Sequence, residues 1–292
     1  MKTKTTLGYA AGAAALMLGL SALTACSSGT SQESAVADDC TPIMEGVETV
    51  KPGKLTAAVA EYPPYVSQAG GEVTGVDGVI MQRIADELCL ELNLEVQGWP
   101  AIYENTRNGA VDMAEGNIYL NKERLELYEV SVPVYRDEMF IVSKDGISSL
   151  EDMKGKKVGT VQGYLWVEDF QNALGKDNVQ LYASEDAAYQ DVANGRIEAA
   201  IMTSGGARQI LEANNDTTLK NVKFESNDKI AASVEPPQSI VLAPKGNTEF
   251  IEAVNLVIEG MQEDGSLVKA LTDNGFEETA AETDPTARDR VK

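Results

Sequence analysis

The residue types that carry most protein chemistry are unevenly supplied in this chain. Its 292 residues include no His and only three Cys, alongside ten Tyr and two Trp. Without His, neither a Ser-His-Asp nor a Cys-His arrangement can be assembled, and no imidazole can ligate a metal. Cys26, Cys40 and Cys89 are too few and too scattered for a thiolate site, so no metal and no cofactor is expected. What remains is recognition chemistry, in which guanidinium groups, carboxylates and rings do the work. Glu115 follows the apolar strand-like run Val111–Ala114, where an acid implies either a paired role or an edge position facing solvent. Tyr62 stands beside Pro63 and Pro64 and so cannot lie in a strand interior, which leaves its ring for a site.

Charge narrows the partners. Forty-six Asp and Glu oppose 24 Lys and Arg, a net charge of −22. Such a surface cannot displace the counterions of a phosphate backbone, so no nucleic acid is expected as a partner. Adhesion to anionic lipid through surface charge is excluded on the same grounds. The acidity reads as solubility.

The beginning of the chain reads as an export signal. Lys2 and Lys4 precede an apolar run from Leu7 to Leu20, and small residues follow. The run is short for a transmembrane anchor. Leu23-Thr24-Ala25-Cys26 resembles the bacterial lipobox, in which the Cys is lipidated and becomes the first mature residue. The expectation is a signal peptide over 1–25, a lipidated flexible tether over 26–50, and a membrane-anchored protein on the extracytoplasmic face. Cys40 and Cys89 are then left as an even pair outside the cytoplasm. They form a disulfide that pins the tether to the folded body, or stay as two thiols with Cys89 buried at a helix end. The polar stretch 277–292 is expected to be a disordered tail.

Between these ends the pattern alternates. Strand runs are read at Leu55–Ala60, Leu92–Val96, Val111–Ala114, Glu138–Ser143, Lys157–Val161, Val179–Tyr182, Glu198–Met202 and Ser239–Ala243. Helices are read at Val79–Leu90, where Ile80, Ile84 and Leu88 share a face, and at Ala101–Gly109. A final helix carries Phe250, Val254, Val257 and Met261. This alternation predicts an α/β protein with enough strands for two sheets.

The order of short motifs resembles the bacterial extracellular solute-binding proteins of family 3, receptors of polar amino-acid ABC importers. The resemblance runs from about Lys54 to Gly275. It rests on Glu61-Tyr62-Pro63-Pro64-Tyr65, Gly75-Val76-Asp77, Trp99 before a helix and Gly109-Ala110-Val111-Asp112. It continues through Asn121-Lys122-Glu123-Arg124, Ser131-Val132-Pro133-Val134-Tyr135, Gly155-Lys156-Lys157-Val158-Gly159 with Gln162-Gly163, and Asn194-Gly195-Arg196-Ile197-Glu198-Ala199. The resemblance implies a two-lobed, type II periplasmic-binding-protein-like fold with two hinge strands. Lobe 1 would take residues 51–136 and 239–276, and lobe 2 residues 140–234. The implied function is ligand capture between the lobes and delivery to a membrane permease, with no catalysis.

By the same resemblance Arg124 holds a ligand carboxylate, for which a planar guanidinium offers a bidentate pair. The alternative is a surface Arg paired with Glu123 or Glu126. Tyr62 and Trp99 match the aromatic positions that sandwich a ligand. The departures matter as much. Asn117-Ile118-Tyr119 replaces small residues and would add a third ring, with Asn117 and Tyr119 in the cleft. Tyr164 and Leu165 stand where a hydroxyl residue contacts the carboxylate. Thr203 stands where the family has the Asp that binds the α-ammonium. Either Glu61 or Glu115 replaces that charge, or the ligand carries an alkylated or delocalised cation held by rings, as an ectoine-like or betaine-like solute would. Two other functions stay open: a dehydratase recruited from the same fold with Glu115 or Glu61 as acid, and a ligand sensor for a membrane partner.

Overall fold

The computed structural model describes residues 36, 39–69 and 72–290. The expected signal peptide, Cys26 and the start of the tether lie outside these residues. In chain order the first lobe contributes β1 (Lys54–Val59), a hairpin of β2 (Ser67–Ala69) and β3 (Glu72–Thr74), α1 (Val76–Glu87) and β4 (Glu91–Val96). It continues with α2 (Trp99–Arg107), β5 (Met113–Ala114), α3 (Lys122–Leu127) and β6 (Tyr128–Val130). The second lobe contains β7 (Met139–Ser143), β8 (Val158–Val161), α4 (Val167–Leu174), β9 (Val179–Tyr182) and α5 (Glu185–Ala193). It ends with β10 (Ala199–Thr203), α6 (Ser204–Ala213), β11 (Lys220–Lys223) and α7 (Ala231–Val234). The chain then returns to the first lobe for β12 (Leu242–Pro244), α8 (Thr248–Glu263) and α9 (Ser266–Asp273).

Each lobe is built on one five-stranded sheet. The first has the order β4-β1-β5-β12-β6, and the second β11-β7-β10-β8-β9. In both, the strands reached through helical crossovers are parallel, and the strands next to the lobe crossings run antiparallel. The strands are apolar on both faces because helices cover both faces. Along β1, Leu55, Ala57 and Val59 pack with Ile80, Ile84, Phe250 and Val254, while Ala58 packs on the other side with Ile102 and Leu242. In the second lobe Met139, Ile141 and Ile201 face one core and Phe140, Val142 and Met202 the other. Two chain crossings join the lobes. Arg136 bridges to Gln238, and the Asp137 N–H donates to the Pro237 carbonyl at 2.9 Å.

Several short elements escape periodicity: the β2–β3 hairpin, β6 and β11. Helix α1 begins at Val76, three residues before the start read from the sequence, and Val76 extends the buried face of Ile80 and Ile84. Gly75, at φ 91°, lets the chain approach the Pro64 carbonyl, and that carbonyl and Tyr65's take the N–H groups of Val76 and Asp77.

Of the two alternatives for Cys40 and Cys89 the structure holds the bridge, and both expected loose ends are shorter than the sequence suggests. Cys40 and Cys89 are joined by a disulfide, with Cα atoms 5.8 Å apart. The Ile43 N–H donates to the Glu87 carbonyl at 2.7 Å, and Met44 and Val47 pack on the first core. The tether is therefore fixed from about residue 40 onward. Residues 277–290 are not a free tail either. The Ala280 carbonyl accepts from Arg136 N at 2.8 Å, and the Asp284 N–H donates to the Gln238 side chain at 2.6 Å. These two hydrogen bonds tie the strap to both crossing strands, and Ala280, packed on the first core, and Ala287 are buried in a segment whose polar composition hides it.

Candidate functional site

A cavity of about 600 Å³ lies between the lobes. Its first-lobe wall carries Glu61, Tyr62, Trp99, Asn117, Tyr119 and Arg124, and its second-lobe wall carries Tyr164 and Glu185.

Arg124 is placed by a helix cap. Asn121 caps α3, its side chain accepting the Arg124 N–H at 2.9 Å, which sets Arg124 on the first turn. The guanidinium donates to the Tyr119 carbonyl and, at 2.7 Å, to the Tyr103 hydroxyl. Its Cζ lies 5.2 Å from the Tyr103 ring centre. Neither Glu123 nor Glu126 pairs with it, so the surface alternative is not what the structure holds. The two hydrogen bonds leave further guanidinium donors free for a ligand anion.

Trp99 opens α2 and stacks on Tyr103 with ring centres 6.1 Å apart. Rings and guanidinium thus form one layered wall, Trp99 on Tyr103 beneath Arg124. Tyr103 is a wall residue that sequence reasoning missed. Its position one helical turn after Trp99 was the available signal. Tyr62 is held in a tight turn in which it exchanges two backbone hydrogen bonds with Val66. Its hydroxyl meets the Tyr164 hydroxyl at 3.1 Å, a direct contact between lobes. Asn117 takes a left-handed conformation, φ 56°, which Asn tolerates, and its amide donates to the Tyr119 hydroxyl at 3.0 Å.

The second wall answers the question raised by Thr203. That residue caps α6 and does not line the cavity itself. Its N–H donates to Glu185 Oε1 at 2.7 Å, and the Tyr164 hydroxyl donates to the same oxygen at 3.1 Å. The carboxylate beside Thr203 therefore belongs to Glu185. Glu185 is the first residue of α5, after the cap Ser184, where an acid ordinarily reads as a solvated, dipole-favoured charge. Here it is 7% exposed. Burial pushes its pKa up to about 7, against the Thr203 and Tyr164 donors that pull it down. The room comes from Gly206, where a Cβ would collide with the Glu185 carboxylate. Gly206→Ala should therefore displace Glu185 and weaken ligand binding while leaving both cores intact. Calorimetry combined with a melting curve checks this.

Two sequence expectations are corrected. Glu115 is fully buried but does not line the cavity. It lies among the core of lobe 1 near Asp77, and neither of its oxygens has a hydrogen-bond partner among the described residues. Burial, and after it the neighbouring Asp77, raise its pKa well above the usual carboxylate range. Leu165 is 58% exposed and faces a separate hollow against α7, with Leu120. Glu61 does reach the cavity, exposed at its rim, where it accepts from Ser67 Oγ at 2.9 Å.

The raised acids set a pH dependence. Glu185 and Asp77 both have folded pKa values near 7, above ordinary carboxylates. The folded state then holds more protons than the unfolded state between about pH 4.5 and 7, so stability falls as pH rises through that window. A ligand cation that favours ionised Glu185 has the opposite effect on affinity. Affinity should rise toward pH 7 and above, with proton release on binding near pH 6.5. Calorimetry in buffers of different ionisation enthalpy measures that release.

Comparison with known proteins agrees with this architecture. Residues 55–274 match the model of "Bacterial extracellular solute-binding proteins, family 3". The L-cystine-binding protein TcyJ of Escherichia coli (strain K12) is 30% identical over 228 residues, 76% of this chain and 82% of that protein. The arginine-binding extracellular protein ArtP of Bacillus subtilis (strain 168) is 24% identical over 262 residues, 85% of this chain and 90% of that protein. Among solved structures, an ancestral arginine-binding protein bound to arginine superposes with a TM-score of 0.60 at 25% identity, covering 76% of this chain and 98% of that one. Matched over most of its length by the family model, the chain belongs to the bacterial extracellular solute-binding proteins of family 3.

Proposed function

We propose that the protein captures an α-amino acid in the cavity between its lobes and delivers it to the permease of an ABC importer. One observation carries this reading: the Arg124 guanidinium, which has no carboxylate partner among the described residues, and a buried carboxylate, Glu185, line opposite walls of one cavity. A zwitterion satisfies both, its carboxylate on Arg124 and its ammonium on Glu185, each desolvated charge meeting its partner. The remaining cavity charges, Glu61 and Asp186, are acidic. That balance favours neutral or cationic amino acids over acidic ones. Relatives named for cystine and arginine support the amino-acid class. Delivery to a permease rests on the family, and attachment to the membrane through lipidated Cys26 rests on the lipobox-like sequence.

The ring-cage alternative, an ectoine-like or betaine-like solute, keeps the support of Tyr62, Trp99, Tyr119 and Tyr164. It loses its main motive, because Glu185 supplies the acid that Thr203 lacks. A thermal-shift screen over the twenty L-amino acids, L-cystine, ectoine and glycine betaine tests the reading. Stabilisation by one or a few neutral or cationic amino acids is expected. Stabilisation by ectoine or betaine alone would replace the amino-acid reading with the cage. Screen hits should also be incubated with the protein and analysed for products, since a buried acid with a pKa near 7 is what a dehydratase of this fold would use.

A further inference from the structure

Asp137 stands in the first crossing strand, where nothing in the sequence marks it. It is 2% exposed, and its five donors are neutral and come from both lobes. Oδ2 accepts from the hydroxyls of Tyr65 and Tyr119, the latter at 2.9 Å, and from Asn117 Nδ2 at 2.9 Å. Oδ1 accepts from Ser204 N at 3.2 Å and Ser204 Oγ at 3.0 Å. A carboxylate has about four lone-pair positions, so this one is used to capacity. Burial raises its pKa, and the side-chain hydrogen bonds from Tyr65, Asn117, Tyr119 and Ser204 work against that rise.

The partners connect to the two ligand walls. Asn117 and Tyr119 line the cavity, and the Tyr119 carbonyl accepts from Arg124. Ser204 follows Thr203, whose N–H holds Glu185. We propose that Asp137 is a positioning residue that sets the two half-sites against each other, orienting the Arg124 wall through Asn117 and Tyr119 and the Glu185 wall through Ser204. This rests on the amino-acid reading of the cavity, though the linkage between walls is a property of the free protein. The lobes approach closely at the same place. A Cβ on Gly205 would lie 2.7 Å from both Pro64 and Phe276 of the first lobe. A small tilt at Ser204 would therefore be felt on both sides.

Asp137→Asn keeps the shape and removes the second acceptor. Its NH2 must face either the three first-lobe donors or the Ser204 N–H, which cannot turn away. Hydrogen exchange of the free full-length protein is the first measurement. Exchange should accelerate in segment 116–121, in segment 203–207, or in both, while strands β1 and β7 keep wild-type protection. The second measurement is calorimetric titration with whichever L-amino acid stabilises the wild type most. Its Kd should rise about tenfold, as for one lost buried acceptor. Unchanged exchange at both walls would overturn the proposal. So would acceleration spread evenly into β1 and β7, which marks a merely structural acid. If no amino acid binds the wild type, the reading of the cavity fails, and the exchange result alone decides the role of Asp137.

Discussion

Replacing Arg124 with alanine should weaken amino-acid binding by roughly a hundredfold or more. Leaving a buried carboxylate without its partner costs on the order of 3–5 kcal/mol. The guanidinium is already positioned, stacked over Tyr103 and held by the Tyr119 carbonyl and the Tyr103 hydroxyl, so the ligand does not have to order it. Those two bonds also mean that alanine removes little from the fold, and the melting temperature of the free protein should move only slightly. Arg124→Lys should recover part of the loss, since an ammonium restores charge without the bidentate fork. Calorimetry on the three proteins is the check. A change of less than about tenfold for alanine would remove Arg124 as the carboxylate anchor.

Replacing Glu185 with glutamine should be nearly as costly to binding, on the order of 2–5 kcal/mol, because an ammonium brought into the cavity would find no charge there. Its effect on stability has the opposite sign. Glu185 is harder to ionise in the folded than in the unfolded chain, so above pH 7 its charge works against folding. The glutamine variant should melt at the same or a higher temperature at pH 8 while binding poorly. It should also lose the proton release that the wild type shows on binding near pH 6.5. A variant that binds poorly because it is unfolded gives neither result.

The sequence carried the architecture further than the site. The apolar strands and the α8 face were legible because burial on both sides of a parallel sheet leaves continuous apolar runs. The β2–β3 hairpin and β11 were not, since three- and four-residue strands with mixed burial carry no period to read. On the first wall, Tyr62, Trp99, Asn117, Tyr119 and Arg124 were legible through motif order, and all five line the cavity. On the second wall only Tyr164 was. Glu185 and Asp137 were hidden for a common reason. Each is an acid whose burial is imposed by the other lobe or by a neighbouring helix end, through Gly206 and Ser204, and no local pattern reports such a long-range contact. Glu115 shows the converse error. Its place beside an apolar strand signalled burial correctly, but burial beside Asp77 and away from the cavity is settled by tertiary packing. Thr203 pointed to the right place, since its N–H holds the Glu185 carboxylate, but the acid comes from the start of α5, which no local pattern links to the end of β10.

The most direct test of the two-walled site compares free and blocked ligands. An L-amino acid that binds in the thermal-shift screen is titrated calorimetrically beside its methyl ester, which lacks the carboxylate charge, and its N-acetyl derivative, which lacks the ammonium. Arg124 and Glu185 on opposite walls predict tight binding of the free amino acid and loss of about a hundredfold or more with either block. Equal binding of the free and N-acetylated forms would contradict the assignment of Glu185 to the ammonium, and equal binding of the free and esterified forms that of Arg124 to the carboxylate.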